Sequence, residues 1–286
     1  MRVRVDYPVV ARMPGRWLHA ALLGLMLALP LAAVAQDEPP TVLITGSSKG
    51  HGLAFVEEYA ELGWRVIATC RTPAKADRLN ALAARHPNVV VEQLDIIDDA
   101  DISALAEKYR DQPIDVLMKN AAINTFRFGP TFFGKIDYDW FEEILKVNII
   151  GQLKVSEAFQ ANVAASEQKK IIAMTSTGGS ITELEVPIAV AYRASKAGLN
   201  MAMRTYSLAM KRKGIIVGII APGTVDTEDY MNAADPATVP SNYRTMIRMK
   251  RLAPRTAIDD MIALIDRLTL DDSGVFYEWT GRVIPW

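Results

Sequence analysis

The chain has 286 residues, a formal net charge of −1, and 33 acidic against 32 basic side chains. This balance argues against a nucleic-acid-binding protein, which would carry a basic face. Half of the residues are hydrophobic, which is enough for a sizeable core. Cys70 is the only cysteine, so neither an intrachain disulfide nor a cysteine-based metal site is expected, and we predict no metal site of any kind.

The first 35 residues have the pattern of an export signal. Four arginines precede an almost unbroken apolar run at Leu18–Leu31, and Ala33–Ala35 then matches a small-x-small cleavage site. We expect residues 1–35 to be a signal peptide or membrane anchor, 36–40 a linker and 41–286 a single domain. The protein would then be exported, either periplasmic or membrane-anchored. The alternative is a start codon assigned upstream of a cytoplasmic enzyme.

Apolar, strand-like runs alternate with helical segments through the rest of the chain. Strands are predicted at residues 41–45, 65–70, 89–94, 114–118, 169–175 and 215–220. Helices are predicted at 50–62, 74–84, 138–165 and 194–213, with one more opened by the acidic group at 98–101 and another by Pro254. Because the strands are apolar throughout, the pattern predicts an α/β fold with parallel strands covered by helices on both faces.

A glycine-rich loop, Thr45–Gly52, joins the first strand to the first helix. Its glycines, Gly46, Gly50 and Gly52, would let the backbone approach a phosphate at the N-terminus of the helix. A spaced set of glycines is by itself often only a turn. Its position after the first strand of an alternating α/β chain favours dinucleotide binding.

A second motif follows the fifth predicted strand. Ser176 comes directly after that strand, and Tyr192 and Lys196 lie four residues apart on one face of a predicted helix. A free phenol has a pKa of about 10, and a nearby ammonium group would lower it, so the pair is able to work as an acid. An isolated Tyr-x-x-x-Lys is more often an ordinary helix surface, and only the glycine loop upstream overturns that interpretation.

Together these motifs resemble the short-chain dehydrogenase/reductase superfamily over residues 41–286. The length of the Ser-to-Tyr connection and the ending Gly-x-x-Ile-Pro-Trp are similar to the C-factor and sniffer-like carbonyl reductases. The resemblance implies a Rossmann-type, doubly wound parallel sheet of about seven strands in a single domain. It also implies a homodimer.

The resemblance implies a catalytic set of Asn148, Ser176, Tyr192 and Lys196. Asp95 and Ile96 would contact the adenine of the cofactor. Asn120 lies in the segment after the fourth strand, where the sequence departs from the family pattern at Lys119 and Ala122. His51 stands where the family usually has an aliphatic residue, and we expect it in the loop near the pyrophosphate. The implied cofactor-binding residues are Gly46, Ser48, Lys49, Gly50, His51, Gly52, Arg71, Asp95, Ile96, Asn120, Tyr192, Lys196, Pro222, Gly223, Val225 and Thr227.

The residue after the second strand favours NADP(H) as the cofactor. An acidic residue there would bind the ribose hydroxyls of NAD, but the chain has Arg71, which suits a 2′-phosphate. Lys49 adds a second cation in the glycine loop. The alternative is that both are solvated surface cations.

These motifs predict an NADPH-dependent reductase that converts a small-molecule ketone or aldehyde to an alcohol, with Tyr192 as the general acid. Ser176 would position the carbonyl group, and Asn148 would hold a water that links Lys196 to solvent. Residues 228–250 are expected to select the substrate. The alternative is a dinucleotide-binding signalling or sensor protein with little turnover, which would have no need of this acid.

Overall fold

The structure is a computed structural model that describes residues 38–123, 133–223, 225–226 and 254–286. The predicted leader, Thr227 and the predicted substrate-selecting segment at 228–250 lie outside the described residues, so what was expected of them stays a prediction. Pro39–Trp286 forms one compact unit. Within the described ranges, no helix combines the length and apolar character needed to cross a membrane.

Seven parallel strands form one sheet in the order β3-β2-β1-β4-β5-β6-β7. The strands are β1 (Thr41–Thr45), β2 (Arg65–Cys70), β3 (Val89–Gln93), β4 (Val116–Lys119), β5 (Lys170–Met174), β6 (Ile216–Ala221) and β7 (Phe276–Glu278). This confirms the doubly wound, Rossmann-type sheet. The strands β1, β4, β5 and β6 are buried along their whole length, which explains why their sequences are apolar without alternation.

Helices and helical turns connect the strands. The α-helices are α1 (Gly50–Glu61), α2 (Asp77–Ala83), α3 (Asp99–Lys108), α4 (Tyr138–Leu145), α5 (Gln152–Ala158), α6 (Gln160–Ala165), α7 (Val190–Met210) and α8 (Pro254–Arg267). Short 3₁₀ turns lie at Pro73–Lys75, Thr177–Gly179 and Lys211–Lys213. As predicted, acidic residues open α3: the Asp98 side chain accepts hydrogen bonds from the amides of Ala100 and Asp101.

Two parts of the chain differ from the sequence prediction. The single helix predicted at 138–165 is instead α4, α5 and α6, with a π-helical segment at Lys146–Gly151 between the first two. Helical composition does not reveal this change of hydrogen-bond pattern. The strand β7 was not predicted, because three residues are too few to show a periodicity.

The sheet has an apolar core on each face. One core packs α1 and α8 against the sheet, with Phe55, Tyr59 and Met261 among its buried side chains. The other packs α3, α5 and α7 against the opposite face and includes Phe159 and Leu199. Both cores hold the strands in place, so the loops that follow them are presented from a rigid base.

The order of the strands determines where a ligand can bind. The connections leave β1 and β4 toward opposite sides of the sheet, which opens a crevice at the carboxyl ends of these neighbouring strands. The glycine loop follows β1, Asn120 follows β4, Ser176 follows β5 and Pro222 follows β6. Four of the predicted motifs therefore meet at one edge of the sheet.

Candidate active site

The glycine loop passes close to the segment after β4. Gly46 has a φ of +70°, and a Cβ built on it would lie 2.8 Å from the Cα of Ala121. A Cβ on Gly52 would lie 2.6 Å from the side-chain nitrogen of Asn120 and would also collide with the carbonyl of Gly46. Any side chain at these two positions would push the loop away from β4. The glycines are therefore needed for close approach of backbone to backbone.

Hydrogen bonds hold this approach together. Asn120 donates from its side chain to the carbonyl oxygens of Thr45 and Gly46, both at 3.1 Å. In return, the Thr45 hydroxyl accepts hydrogen bonds at 3.0 Å from the amides of Asn120 and Ala121. Asn120 therefore shapes the glycine loop from the neighbouring strand. Thr45 was not predicted as a site residue, although it opens the glycine motif.

The N-terminus of α1 is suited to an anion. Its N-cap residue, Lys49, has an extended backbone and no capping hydrogen bond from its side chain, whereas α3 and α4 are capped by aspartates. The first amides of α1 are therefore left for another acceptor, and the positive end of the helix dipole lies there. Ser48 lies in the same loop and is half-buried.

His51 lies in the first turn of α1 and not in the loop where the sequence placed it. Its Nε2 atom is buried and has no hydrogen-bond partner among the described residues. Burial, with a smaller contribution from repulsion by Lys196, lowers the pKa of the imidazole from 6.5 to about 4. His51 therefore is neutral and close to Lys196, and its orphaned nitrogen fits a ligand that supplies the missing partner.

The remaining predicted cofactor contacts border the same crevice. Arg71 follows β2 directly and is exposed, as is Lys49 in the glycine loop. The Asp95 carboxylate accepts a hydrogen bond from the Ile97 amide, which forms a local turn, and the Ile96 side chain is buried beside Gly151. Lys49, Arg71 and Asp95 therefore follow the carboxyl ends of β1, β2 and β3.

Pro222, Gly223 and Val225 come after β6. Pro222 and Gly223 are half-buried, and Gly223 has a φ of +73°, a left-handed conformation that favours glycine. Val225 packs against the core on the α1 face. Pro222 and Gly223 therefore directly follow the carboxyl end of β6, where the resemblance expects contact with the nicotinamide.

Ser176 begins a tight turn after β5. Its side chain accepts a hydrogen bond of 3.1 Å from the amide of Gly178, and its hydroxyl lies near the phenol of Tyr192. The turn is held from α7, because Asn200 accepts a bond from the Thr175 hydroxyl at 2.6 Å and donates to the Gly179 carbonyl at 3.2 Å. Asn200 was not predicted, but it lies one helical turn beyond Lys196.

Tyr192 and Lys196 lie on one face of α7, as predicted. The Lys196 ammonium nitrogen is 5.8 Å from the centre of the tyrosine ring and donates a hydrogen bond of 2.9 Å to the carbonyl of Met174. The expected lowering of the Tyr192 pKa was wrong. Burial is the larger effect and raises the pKa of the phenol, and the Ser176 hydroxyl lowers it only in part.

Lys196 is itself affected by burial, which lowers its pKa to about 8. A buried ammonium group loses its hydration, so a lysine that would favour a phenolate is held less firmly in its charged form. Burial therefore moves the two pKa values apart, raising that of Tyr192 and lowering that of Lys196. Tyr192 keeps its proton at neutral pH.

Asn148 lies in the π-helical segment and is fully buried. Its side chain accepts a hydrogen bond of 2.8 Å from the amide of Ile123 and donates one of 2.9 Å to the carbonyl of the same residue. It also donates to the Ser195 hydroxyl at 3.0 Å, and Ser195 donates to the Tyr192 carbonyl at 2.7 Å. Ser195 was missed because a serine inside a helix has no distinctive pattern.

An apolar cavity of about 330 Å³ lies beside the Ser176 turn. Its walls come mainly from the connection between Ser176 and Tyr192, with Ile181, Leu184 and Ile188 among the lining side chains. Gly178 borders it too, and a Cβ on Gly178 would lie 3.4 Å from the Ser176 hydroxyl oxygen and 3.9 Å from the ring of Tyr192. Gly178 therefore lies between the cavity and the side chains of Ser176 and Tyr192.

The sequence matches a known protein family. A sequence profile of the short chain dehydrogenases matches residues 40–237. The chain belongs to this family, which confirms the resemblance seen in the motifs.

Its relatives include proteins named as oxidoreductases. An uncharacterised oxidoreductase of Schizosaccharomyces pombe is 29% identical over 247 residues, which cover 85% of this chain and 96% of that protein. The C-signal protein of Myxococcus xanthus is 30% identical over 174 residues, which cover 61% of this chain and 93% of the relative.

Solved structures agree with the fold. The carbonyl reductase from chicken fatty liver, solved with NADPH bound, is 29% identical to this chain with a TM-score of 0.74. The match covers 87% of this chain and 100% of the chicken chain. A short-chain dehydrogenase/reductase from Burkholderia multivorans, solved with NADP bound, is 27% identical with a TM-score of 0.71 and the same coverage. The carbonyl reductase Sniffer of Drosophila melanogaster, at 24% identity and a TM-score of 0.71, shares the fold.

Proposed function

We propose that this protein reduces the carbonyl group of a small molecule to an alcohol with NADPH. The observation that carries the proposal is the meeting of Ser176, Tyr192 and Lys196 at the carboxyl edge of the sheet, beside a glycine loop shaped for a dinucleotide. Similarity to the chicken carbonyl reductase, which binds NADPH, supports it.

The residues present fit the dinucleotide. The pyrophosphate would meet the uncapped amides of α1, and the orphaned Nε2 of His51 would gain a partner in the same region. Arg71 is exposed at the end of β2, and an arginine there suits a 2′-phosphate through bidentate hydrogen bonds. Lys49 would add a second positive charge. NADPH, when bound, supplies the hydride to the carbonyl carbon.

Tyr192 would donate the proton to the carbonyl oxygen. The phenol of Tyr192 keeps its proton at neutral pH and is able to donate it, although burial, by raising its pKa, makes it a weaker acid than a free tyrosine. Ser176 would hold the carbonyl oxygen through its hydroxyl, which lies near the phenol. Lys196, with a pKa near 8, would return a proton toward Tyr192, and the chain of hydrogen bonds through Ser195 and Asn148 stiffens this region.

The substrate would place its remaining atoms in the apolar cavity. The walls of this cavity offer few polar partners, so they favour a carbonyl compound whose other groups are apolar. Residues 228–250 would add to this selection, as the sequence predicts.

The test of the proposal is Tyr192→Phe, which keeps the ring but removes the proton. We expect turnover to fall by about two to four orders of magnitude, since this is the usual contribution of a general acid. Affinity for NADPH should change little. The assay is NADPH oxidation with a panel of ketones and aldehydes.

Tyr206→Phe is the matched control. Tyr206 lies on the same helix and donates a hydrogen bond to the Ser156 carbonyl at 3.2 Å, away from the predicted site. Its variant should keep near-normal turnover. Near-normal turnover by Tyr192→Phe, or no reduction of any carbonyl by the unmodified protein, would exclude the proposed function.

A further inference from the structure

Residues 282–286, called here the tail, lie against the connection between Ser176 and Tyr192. The carbonyl oxygen of Trp286 accepts hydrogen bonds from the amide of Thr182, at 2.9 Å, and from the hydroxyl of the same residue. The carbonyl of Pro285 accepts a hydrogen bond of 2.6 Å from the hydroxyl of Ser180. Ser180 is only 3% exposed, so its bond to the tail is shielded from water.

The tail is fixed to the sheet. The amide of Ile284 donates to the Phe276 carbonyl at 2.8 Å, and Tyr277 pairs with Val283 in an antiparallel bridge. The rings of Phe276 and Trp286 stack with their centres 5.6 Å apart. Because Phe276 belongs to β7, which pairs with β6, the tail has the same rigid base as the strands.

Trp286 also contacts the helix that carries Tyr192 and Lys196. The guanidinium of Arg204, on α7, lies 5.8 Å from the centre of the Trp286 ring. Arg204 is held in turn by a hydrogen bond of 2.8 Å to the carbonyl of Gly274. The ring of Trp286 therefore lies between β7 and α7, while its backbone holds the connection.

Ser176 lies at one end of a short turn, residues 176–180, and the tail holds the other end. The first end is fixed by the strand β5 and by Asn200, which bonds Gly179. The second end, Ser180, is fixed by Pro285, and the following Thr182 by Trp286. A displacement of the tail would release Ser180 and Thr182 and with them the turn that orients the Ser176 hydroxyl.

We infer that the tail is a positioning element for Ser176 and that Trp286 is its principal residue. This inference rests on the proposed function, because the hydroxyl being positioned is the one that would hold the substrate carbonyl. Trp286 touches neither Ser176 nor Tyr192 in any contact described above, so it acts through the turn. The same contacts hold one wall of the apolar cavity, which begins at Gly178.

The test is a double-mutant cycle of Trp286→Ala and Ser176→Ala. Trp286→Ala should lower kcat by about 10- to 100-fold, because small misplacements of a catalytic group cost that much, while the Kd for NADPH stays within about twofold. In the Ser176→Ala background, the same substitution should lower kcat by less than about threefold, since its route of action is gone. If the loss of kcat in the double variant equals the product of the losses in the two single variants, the inference is overturned.

Two further variants make the result specific. Trp286→Phe keeps an aromatic ring to stack on Phe276 and should restore most of kcat. Leu208→Ala is the control outside the tail, because Leu208 on α7 is 66% exposed, and it should leave kcat unchanged. If Trp286→Ala does not fold, Thr182→Val takes its place in the cycle, since it removes the hydroxyl donor and keeps the shape of the side chain.

Hydrogen exchange in the ligand-free protein tests the inference without any turnover. In Trp286→Ala, the amides of Gly179, Ser180 and Thr182 should exchange at least about tenfold faster, while those of β1 and β4 keep their rates. Unchanged exchange at the turn, or an equal rise across the whole sheet, would overturn the positioning role. An unmodified protein without reductase activity would instead overturn the proposed function, so the two failures are distinguishable.

Discussion

Lys119, at the end of β4, is a lysine buried without a carboxylate partner among its described contacts. It is 0% exposed, and its amine lies 2.8 Å from the sulfur of Met203. A thioether is a weak acceptor and cannot replace the hydration of an ammonium group. Burial therefore lowers the pKa of Lys119 from its ordinary value of 10.5 to about 7. The family pattern has an asparagine at this position, so the buried amine is a departure that the fold has to accommodate.

This burial predicts how stability depends on pH. Between about pH 7 and 10.5 the unfolded chain keeps the lysine proton and the native protein has lost it, so the free energy of unfolding should rise with pH. Lys119→Met should remove this rise and increase stability below pH 7. The measurement is chemical unfolding from pH 6 to 10. Lys213→Met changes an exposed lysine and should leave the slope of the free energy of unfolding against pH unchanged. If Lys119→Met has the same slope as the unmodified protein, the prediction is wrong.

Arg71 predicts the choice between the two nicotinamide cofactors. Arg71→Ala should weaken NADPH binding by about ten- to a hundredfold, because a charge-assisted hydrogen bond contributes about 1.5 to 3 kcal/mol, and should hardly affect NADH. Binding is measured by cofactor fluorescence. Arg110→Ala is the control, because it removes an exposed cation that lies just after α3 and not at the end of β2. An equal loss for both cofactors would show that Arg71 has a structural role.

At the scale of elements, the π-helical segment explains how Asn148 reaches the site. A π-helix adds a residue to the turn and is found most often at functional positions. Here it lets Asn148 meet Ile123 and Ser195, while Gly151 at its end packs against Ile96. The segment thus connects the predicted catalytic asparagine with one of the predicted adenine contacts.

Gly151, at the end of the π-helical segment, has no room for a side chain. A Cβ there would lie 2.9 Å from the carbonyl oxygen of Ile96 and 2.9 Å from its side chain. Gly151→Ala should therefore lower the free energy of unfolding by about 1–3 kcal/mol and weaken cofactor binding through Ile96. Thermal and chemical unfolding measure the first effect, and fluorescence titration the second.

Gly198→Ala is the matched control for that substitution. Gly198 is also helical, but a Cβ there would meet the terminal carbon of the Ile149 side chain at 2.5 Å, and that side chain is able to rotate away. Its loss of stability should be clearly smaller. Equal losses in the two variants would mean that the contact with Ile96 is not what restricts Gly151.

At the scale of the whole molecule, the predicted leader at residues 1–35 predicts where the protein works. Positive residues before an apolar stretch favour keeping that end inside, which would leave the domain on the far side of the membrane. We expect export, with a mature chain that begins at Gln36. NADPH is made in the cytoplasm, so an exported reductase would have to meet its cofactor elsewhere, and this is the main objection.

Cell fractionation with N-terminal sequencing tests that expectation. A protein outside the cytoplasm that starts at Gln36 would agree with it, and a variant without residues 1–35 should stay inside as the control. A soluble cytoplasmic protein that starts at an internal methionine such as Met26 would rule it out. The expected homodimer stays a prediction as well.

The sequence alone was enough to predict the first six strands, most of the helices that connect them and the main motifs. Wholly apolar strands predicted a parallel sheet because both faces of such strands are buried, and the i, i+4 spacing placed Tyr192 and Lys196 on one helix face. Gly46 and Gly52 were recognised from their spacing. These are local properties, which depend on neighbouring residues in the chain.

Only the tertiary structure decided what depends on distant residues. Burial set the directions of the pKa shifts of Tyr192, His51 and Lys119, because desolvation comes from segments that pack around them and not from their neighbours in sequence. The contact of Trp286 with Thr182 joins residues 104 positions apart, and no local sequence pattern predicts it. Long-range packing therefore determined the electrostatics and the support of a site whose residues were already visible in the sequence.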